Sequence, residues 1–158
     1  MKKVLVIYFS MTGTTRNVAQ SISDLINADI YQIEAEHPYT RADLDWTIAD
    51  SRANREQNTE IARPAYKGKL PDVSRYDTII IGHPIWWGIP PKIVHTVLDD
   101  LDLTGKNLVS FATSGGSSYY DSQKMMEKWI GHKLPKGRVF NHLTDVKSWL
   151  ASLEFLGD

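Results

Sequence analysis

Apolar residues fall along this chain in two rhythms. Short unbroken runs alternate with longer segments in which every third or fourth position is apolar. Val4, Leu5, Val6, Ile7, Tyr8 and Phe9 form the first run, the pattern of a parallel strand buried on both faces. Val18, Ile22, Leu25 and Ile26 then recur at helical spacing. Asp29 to Glu34 reads as a short strand around Ile30, Tyr31 and Ile33, Asp77 to Gly82 as a strongly apolar one, and Leu108 to Ala112 as the next. Val139 and Phe140 are the shortest strand candidate. Helical patterns fill Pro90 to Leu101 and Ser118 to Ile130, and Val146, Trp149, Leu150 and Leu153 make a closing helix. Strands that alternate with helix-length segments imply right-handed crossovers and a parallel sheet covered on both sides, a doubly wound α/β fold in a single domain spanning 1–158.

Local signals sharpen some boundaries. Pro90 and Pro91 mark a first turn, Ser118 stands three residues before Asp121 at capping-box spacing, and Gly131 closes that helix. About forty residues separate the second and third strands, far more than the usual ~2 to 6 residue connection plus one helix. Thr40 with Asp43 repeats the capping-box spacing, with acids early and Arg52 and Arg55 late, so one helix is expected from about Arg41 to Asn58. Its apolar face is thin, comprising Leu44, Ile48 and Trp46. This inserted segment, around 36–70, is expected to be a peripheral solvated helix; the alternative is a lid or dimer contact near a ligand.

The loops that follow strands one, three and four carry the candidate chemistry, because in a doubly wound sheet ligands bind beyond the carboxyl ends of the strands. The first holds Ser10, Met11, Thr12, Gly13, Thr14 and Thr15 at a helix N-terminus, where free N–H groups and the helix dipole favour a phosphate. Helix capping alone would also explain these hydroxyls. The third-strand loop, Pro84, Ile85, Trp86, Trp87 and Gly88, sets two tryptophans where a flat ligand would cover one; otherwise both pack under neighbouring loops. The fourth contains Ser114, Gly115 and Gly116, whose backbone can approach a ligand closely, although a flexible turn accounts for it nearly as well.

Composition narrows the partners. With 18 basic and 19 acidic side chains, the net charge of −1 recruits neither nucleic acid nor an anionic membrane. The chain has no cysteine, which excludes disulfides, thiol catalysis and thiolate metal sites, so redox chemistry would need a bound cofactor. No apolar stretch approaches the ~20 residues of a membrane span. The basic, apolar start lacks a small-residue cleavage site and reads as strand one, so a cytoplasmic location is expected. The five histidines are scattered, and no G-x-S-x-G or H-E-x-x-H motif is present. Asp99, Asp100 and Asp102 fall at a helix end and are left out of the site, so no metal is expected.

The pattern Ser10-x-Thr12-Gly13-x-Thr15 resembles the FMN phosphate loop of the flavodoxin family, and the P-I-W-W-G run is similar to the flavin loop of a flavodoxin-like subgroup. The resemblance extends over the whole chain and implies five parallel strands in the order 2-1-3-4-5. It implies FMN as cofactor, with Ser10, Thr12, Gly13, Thr14 and Thr15 on the phosphate. Pro84, Ile85, Trp86, Trp87 and Gly88 would lie on the ring and ribityl chain, and Ser114, Gly115 and Gly116 at the pyrimidine edge. Carriers of that family are typically acidic and shield the outer flavin face with an acid and a tyrosine; here the loop reads TSGGSS and the chain is nearly neutral. The function implied first is low-potential electron transfer between redox partner proteins. The alternative is an NAD(P)H-dependent FMN reductase of a small quinone-like acceptor, and a further one is a non-redox module for a phosphate ligand or a partner protein. Between the two tryptophans, Trp87 is the expected stacking residue and Trp86 the core one.

Overall fold

The computed structural model of the chain describes residues 3–114 and 116–153. Five parallel strands, β1 (Val4–Phe9), β2 (Asp29–Ile33), β3 (Thr78–Pro84), β4 (Asn107–Thr113) and β5 (Arg138–Phe140), form one sheet in the order β2-β1-β3-β4-β5. The helices are α1 (Thr14–Ile26), α2 (Arg52–Asn58), α3 (Lys92–Asp100), α4 (Tyr120–Ile130) and α5 (Val146–Ser152).

The unbroken apolar strands are explained by burial on both faces. Leu5, Ile7 and Phe9 of β1 join Ile79 and Ile81 of β3 under α3 and α4, where Val94, Val97 and Met126 meet them. Val4, Val6 and Tyr8 point the other way, with Ile80 and Phe111, onto Val18 and Ile22 of α1 and Trp149 and Leu150 of α5. β1 pairs with both β2 and β3. The chain leaves β1 on one side for β2 and later returns on the other for β3, which opens a crevice at the ends of β1 and β3.

The insertion departs from expectation. In place of one helix over 41–58 there is a single 3-10 turn, Ala42–Leu44, and then α2. The reciprocal Thr40–Asp43 capping box does form, at 3.0 and 3.1 Å. Asp45 then accepts from the N–H and hydroxyl of Thr47, a local turn that competes with helix. A second cap follows, as Ser51 accepts from the N–H of Asn54 and restarts the helix. Nor is the segment peripheral. Its base is closed by Glu36 N–H to Ala65 O (2.9 Å) and Lys67 N–H to Glu34 O (2.7 Å). Tyr39, Ala53, Asn54 and Gln57 are buried, whereas Trp46 and Ile48 of the expected apolar face are exposed. Helix α4 begins at Tyr120, and the Ser118 hydroxyl accepts only a long bond from the Tyr120 N–H at 3.4 Å, without the expected box to Asp121.

Candidate functional site

At the end of β1, Gly13 takes a φ of 95° and serves as N-cap of α1. That left-handed backbone is open to glycine at little cost and folds the loop back on itself. Ser10 accepts the Gly13 N–H at 3.1 Å, and Thr12 and Thr14 place their exposed hydroxyls 3.4 Å apart. The helical ladder starts with Asn17 N–H on Gly13 O, so the N–H groups of Thr14, Thr15 and Arg16 have no backbone partner among the described residues. Two exposed hydroxyls, joined only by a long bond to each other, and three N–H donors without a backbone partner at a helix N-terminus fit a phosphate monoester. Thr15 is different, because it is buried and its hydroxyl bonds that of Thr113 at 2.7 Å, tying this loop to the end of β4. Met11 faces a separate 210 Å3 depression on the β2 side, with Gln32 and Pro38.

The β3 loop is a tight turn. Trp86 and Ile89 exchange both backbone hydrogen bonds, at 2.9 and 3.2 Å, across Trp87 and Gly88, whose φ values are 56° and 83°. Positive φ at both central positions is the pattern of a type I′ turn. Glycine adopts it freely, but for a tryptophan it costs about 1–3 kcal/mol. The surroundings hold the strain in place. Gln57 of α2 donates to the carbonyls of Trp86 (3.0 Å) and Pro90 (3.1 Å) and accepts from the Lys92 N–H (2.9 Å). From the other side, Ser122 of α4 donates to Gly88 O at 3.0 Å.

The two tryptophans separate as their surroundings dictate. Trp86 is half-buried and meets Phe9 and Tyr39 edge-on, with ring centroids 5.7 and 5.2 Å away. Trp87 is 42% exposed, the ring available for a planar ligand. With Trp86, Ile85, Leu44 and Trp46 it borders an apolar depression of about 390 Å3. Tyr39 is itself fixed by a bond to Glu56 and by the Arg52 guanidinium 3.8 Å above its ring. Burial, reinforced by Glu56, raises its pKa strongly, so it stays neutral.

In the β4 loop, Ser114 accepts the N–H groups of Gly116 (3.3 Å) and Ser117 (3.1 Å), so these amides close the loop rather than stand free. Gly115 lies outside the described residues. His83, fully buried near the end of β3, has Nδ1 2.7 Å from Pro84 O and Nε2 2.9 Å from the Tyr119 hydroxyl. A carbonyl can only accept, which assigns the neutral tautomer with Nδ1–H and makes Tyr119 the donor to Nε2. Burial lowers its pKa to about 4, so it is a neutral structural group. Gln57, Thr113, Ser122 and Tyr39 are the contributors that the sequence did not mark. Gln57 and Tyr39 sit in the insertion and Ser122 inside a helix, where nothing in their neighbours distinguishes them. Asp99 and Asp100 instead pair with Arg63 and Tyr66, and the described residues contain no cluster suited to a metal ion. Among them, no helix is long and apolar enough to cross a membrane.

The three loops are therefore one unit: Thr15 with Thr113 joins the first to the fourth, and Phe9 with Trp86 joins the first to the third. A doubly wound sheet with an anion cradle and an exposed aromatic turn at its switch point defines the class. The chain belongs to the flavodoxin family, whose model, described as Flavodoxin, matches residues 3–153. A candidate flavoprotein from Bacteroides eggerthii DSM 20697 is 39% identical, with 96% of this chain and 98% of that one covered and a TM-score of 0.91. Another, from Bacteroides uniformis ATCC 8492, is also 39% identical, covering 95% and 98%, with a TM-score of 0.90. A flavoprotein in complex with FMN from Lactobacillus acidophilus NCFM shares the fold at 23% identity, 94% and 99% coverage and a TM-score of 0.71. No curated protein matches the chain.

Proposed function

We propose that this protein binds FMN and works as a redox protein, first as an electron carrier between partner proteins. The observation that carries the reading is the junction of the anion cradle at α1 with the strained, exposed Trp87 turn, which gives one ligand both a phosphate seat and an aromatic cover. The Lactobacillus protein crystallised with FMN supports it. FMN would supply the one- and two-electron chemistry that these side chains lack. The chain's own residues bind and shield: Thr12, Thr14 and the α1 N–H groups hold the phosphate, Trp87 excludes water from one ring face, and Gln57 and Ser122 keep the turn in shape. A second reading, direct reduction by NAD(P)H with transfer to a quinone-like acceptor, is favoured by the apolar depression beside Trp87 and by the absence of acid or aromatic residues in the loop 113–118.

Fluorescence titration with FMN and riboflavin tests the site, since equal affinity for the two would remove the phosphate assignment. Anaerobic mixing of the FMN-loaded protein with NADPH tests the role. Complete reduction without an added reductase, fast enough to support turnover with a quinone, establishes the reductase, and no reduction under those conditions supports the carrier.

A further inference from the structure

Between α4 and the edge strand β5 runs a groove of about 780 Å3, separate from the depression beside Trp87. Lys124, Lys133, Lys136 and Arg138 border it against one carboxylate, Glu127. Arg138 is paired with Asp145 at 3.2 Å, but Lys124, Lys133 and Lys136 make no ion pair among the described residues. Glu127 is occupied in holding the wall, accepting from the Leu134 N–H at 2.9 Å and from Gln123 at 3.4 Å. In a chain of net charge −1, three unpaired ammonium groups around one cavity are a local concentration of positive charge.

The groove is also built before any ligand arrives. Gln123 donates to Leu134 O (3.2 Å) and accepts from the Gly137 N–H (2.7 Å), fixing the loop 134–137 against α4. A side chain at Gly137 is excluded, because a Cβ there would lie 2.3 Å from the Tyr119 ring and 2.7 Å from Ser110 O. At the end nearest the β4 loop stands Tyr120, 63% exposed, with Lys124 Nζ 4.4 Å from its ring centroid. Cationic walls, a fixed floor and an aromatic ring at the mouth are the elements of a nucleotide site.

We propose that this groove binds a nucleotide carrying two or more phosphates, with the phosphates among Lys124, Lys133 and Lys136 and the base against Tyr120. The volume lies within the roughly 300–1,000 Å3 of small-molecule sites, whereas a docked protein partner takes a broader face of ~800 Å2. The inference rests on the flavin reading only for what such a nucleotide would be used for, not for its binding.

The probe is NADP+, titrated calorimetrically into the FMN-loaded protein with inorganic pyrophosphate as competitor. Wild type should bind it one to one below millimolar concentration, more weakly as salt rises, and pyrophosphate should compete. The triple variant K124Q/K133Q/K136Q should bind roughly tenfold or more weakly, with FMN affinity and Tm unchanged. No saturation by NADP+ in wild type, undiminished binding in the triple variant, or saturation by polyglutamate in place of the nucleotide would overturn the proposal. The same titration without FMN separates the two readings: nucleotide binding retained in a protein that fails to bind FMN sinks the proposed function and upholds the groove.

Discussion

Gln57 is the side chain through which the insertion acts on the site, and replacing it by alanine tests whether the tryptophan turn is held in shape for a ligand. The residue is 7% exposed and makes three hydrogen bonds to backbone. Trp86 O keeps a second donor, the Ile89 N–H at 3.2 Å. Pro90 O and Lys92 N–H lose the partner that the structure shows for them, and a buried group left unsatisfied costs about 1–3 kcal/mol. Partial entry of water into the space vacated brings the pair to about 2–4 kcal/mol of folding stability. The effect on binding has a separate origin. Once unclamped, the turn can relax the positive φ of Trp87, and re-forming it around FMN would cost about 1–3 kcal/mol, a weakening of roughly 5- to 150-fold. Gln57→Glu should behave similarly, because it keeps the acceptor for Lys92 N–H but turns an oxygen toward two carbonyls. Urea denaturation and FMN fluorescence titration measure the two quantities independently. Lost stability with unchanged FMN affinity would refute the positioning argument, and an unchanged protein would refute the hydrogen-bond assignment as well.

Thr12→Ala should weaken FMN binding by about 1.5–3 kcal/mol while Tm stays constant, as its hydroxyl is exposed and bonds a charged group only in the complex; titration with unchanged affinity would make the loop a helix cap alone. Trp87→Gly should stabilise the ligand-free fold by about 1 kcal/mol, by removing tryptophan from left-handed backbone, yet weaken FMN binding and remove part of the fluorescence quenching. An increase in affinity would show that the ring does not cover the ligand. Stability should fall in acid through His83: its folded pKa of about 4 lies below the ordinary 6.5, so its contribution is present above pH 6.5 and is lost as pH falls toward about 4. The loss amounts to about 3 kcal/mol, and His95, lowered in the same direction first by burial, adds to it. Urea midpoints across that range should drop less in His83→Gln, and an equal drop would assign the acid sensitivity elsewhere.

Much of this molecule is determined by local order in the chain. Val4–Phe9 is apolar at both parities because both faces of β1 are covered, and α1, α3 and α4 announce themselves by a 3.6-residue period and by Pro90, Pro91 and Gly131. The loops of the candidate site stand out in the sequence for a related reason. Gly13 and Gly88 occupy positive φ, and the hydroxyls of Ser10, Thr12, Thr14 and Thr15 and the two tryptophans cluster just beyond strand ends.

What tertiary structure alone decided are the contacts between segments far apart in sequence. The capping signal at Thr40 is real, but where helix forms after it depends on Asp45 closing a turn, on a second cap at Ser51 and on Asn54 bonding Trp46 O and Ile48 O. In the sequence only the neighbouring Gly88 favours Trp87 over Trp86 as the residue open to a ligand, and packing is what sets the two rings apart. One is half-buried because Phe9 and Tyr39 stand beside it, and the other is exposed because a turn clamped from α2 and α4 forces its backbone left-handed. Hydrophobic period reports which face of an element is buried. It carries no record of which distant polar side chain will meet a given carbonyl, since those hydrogen bonds are formed only once the elements have packed.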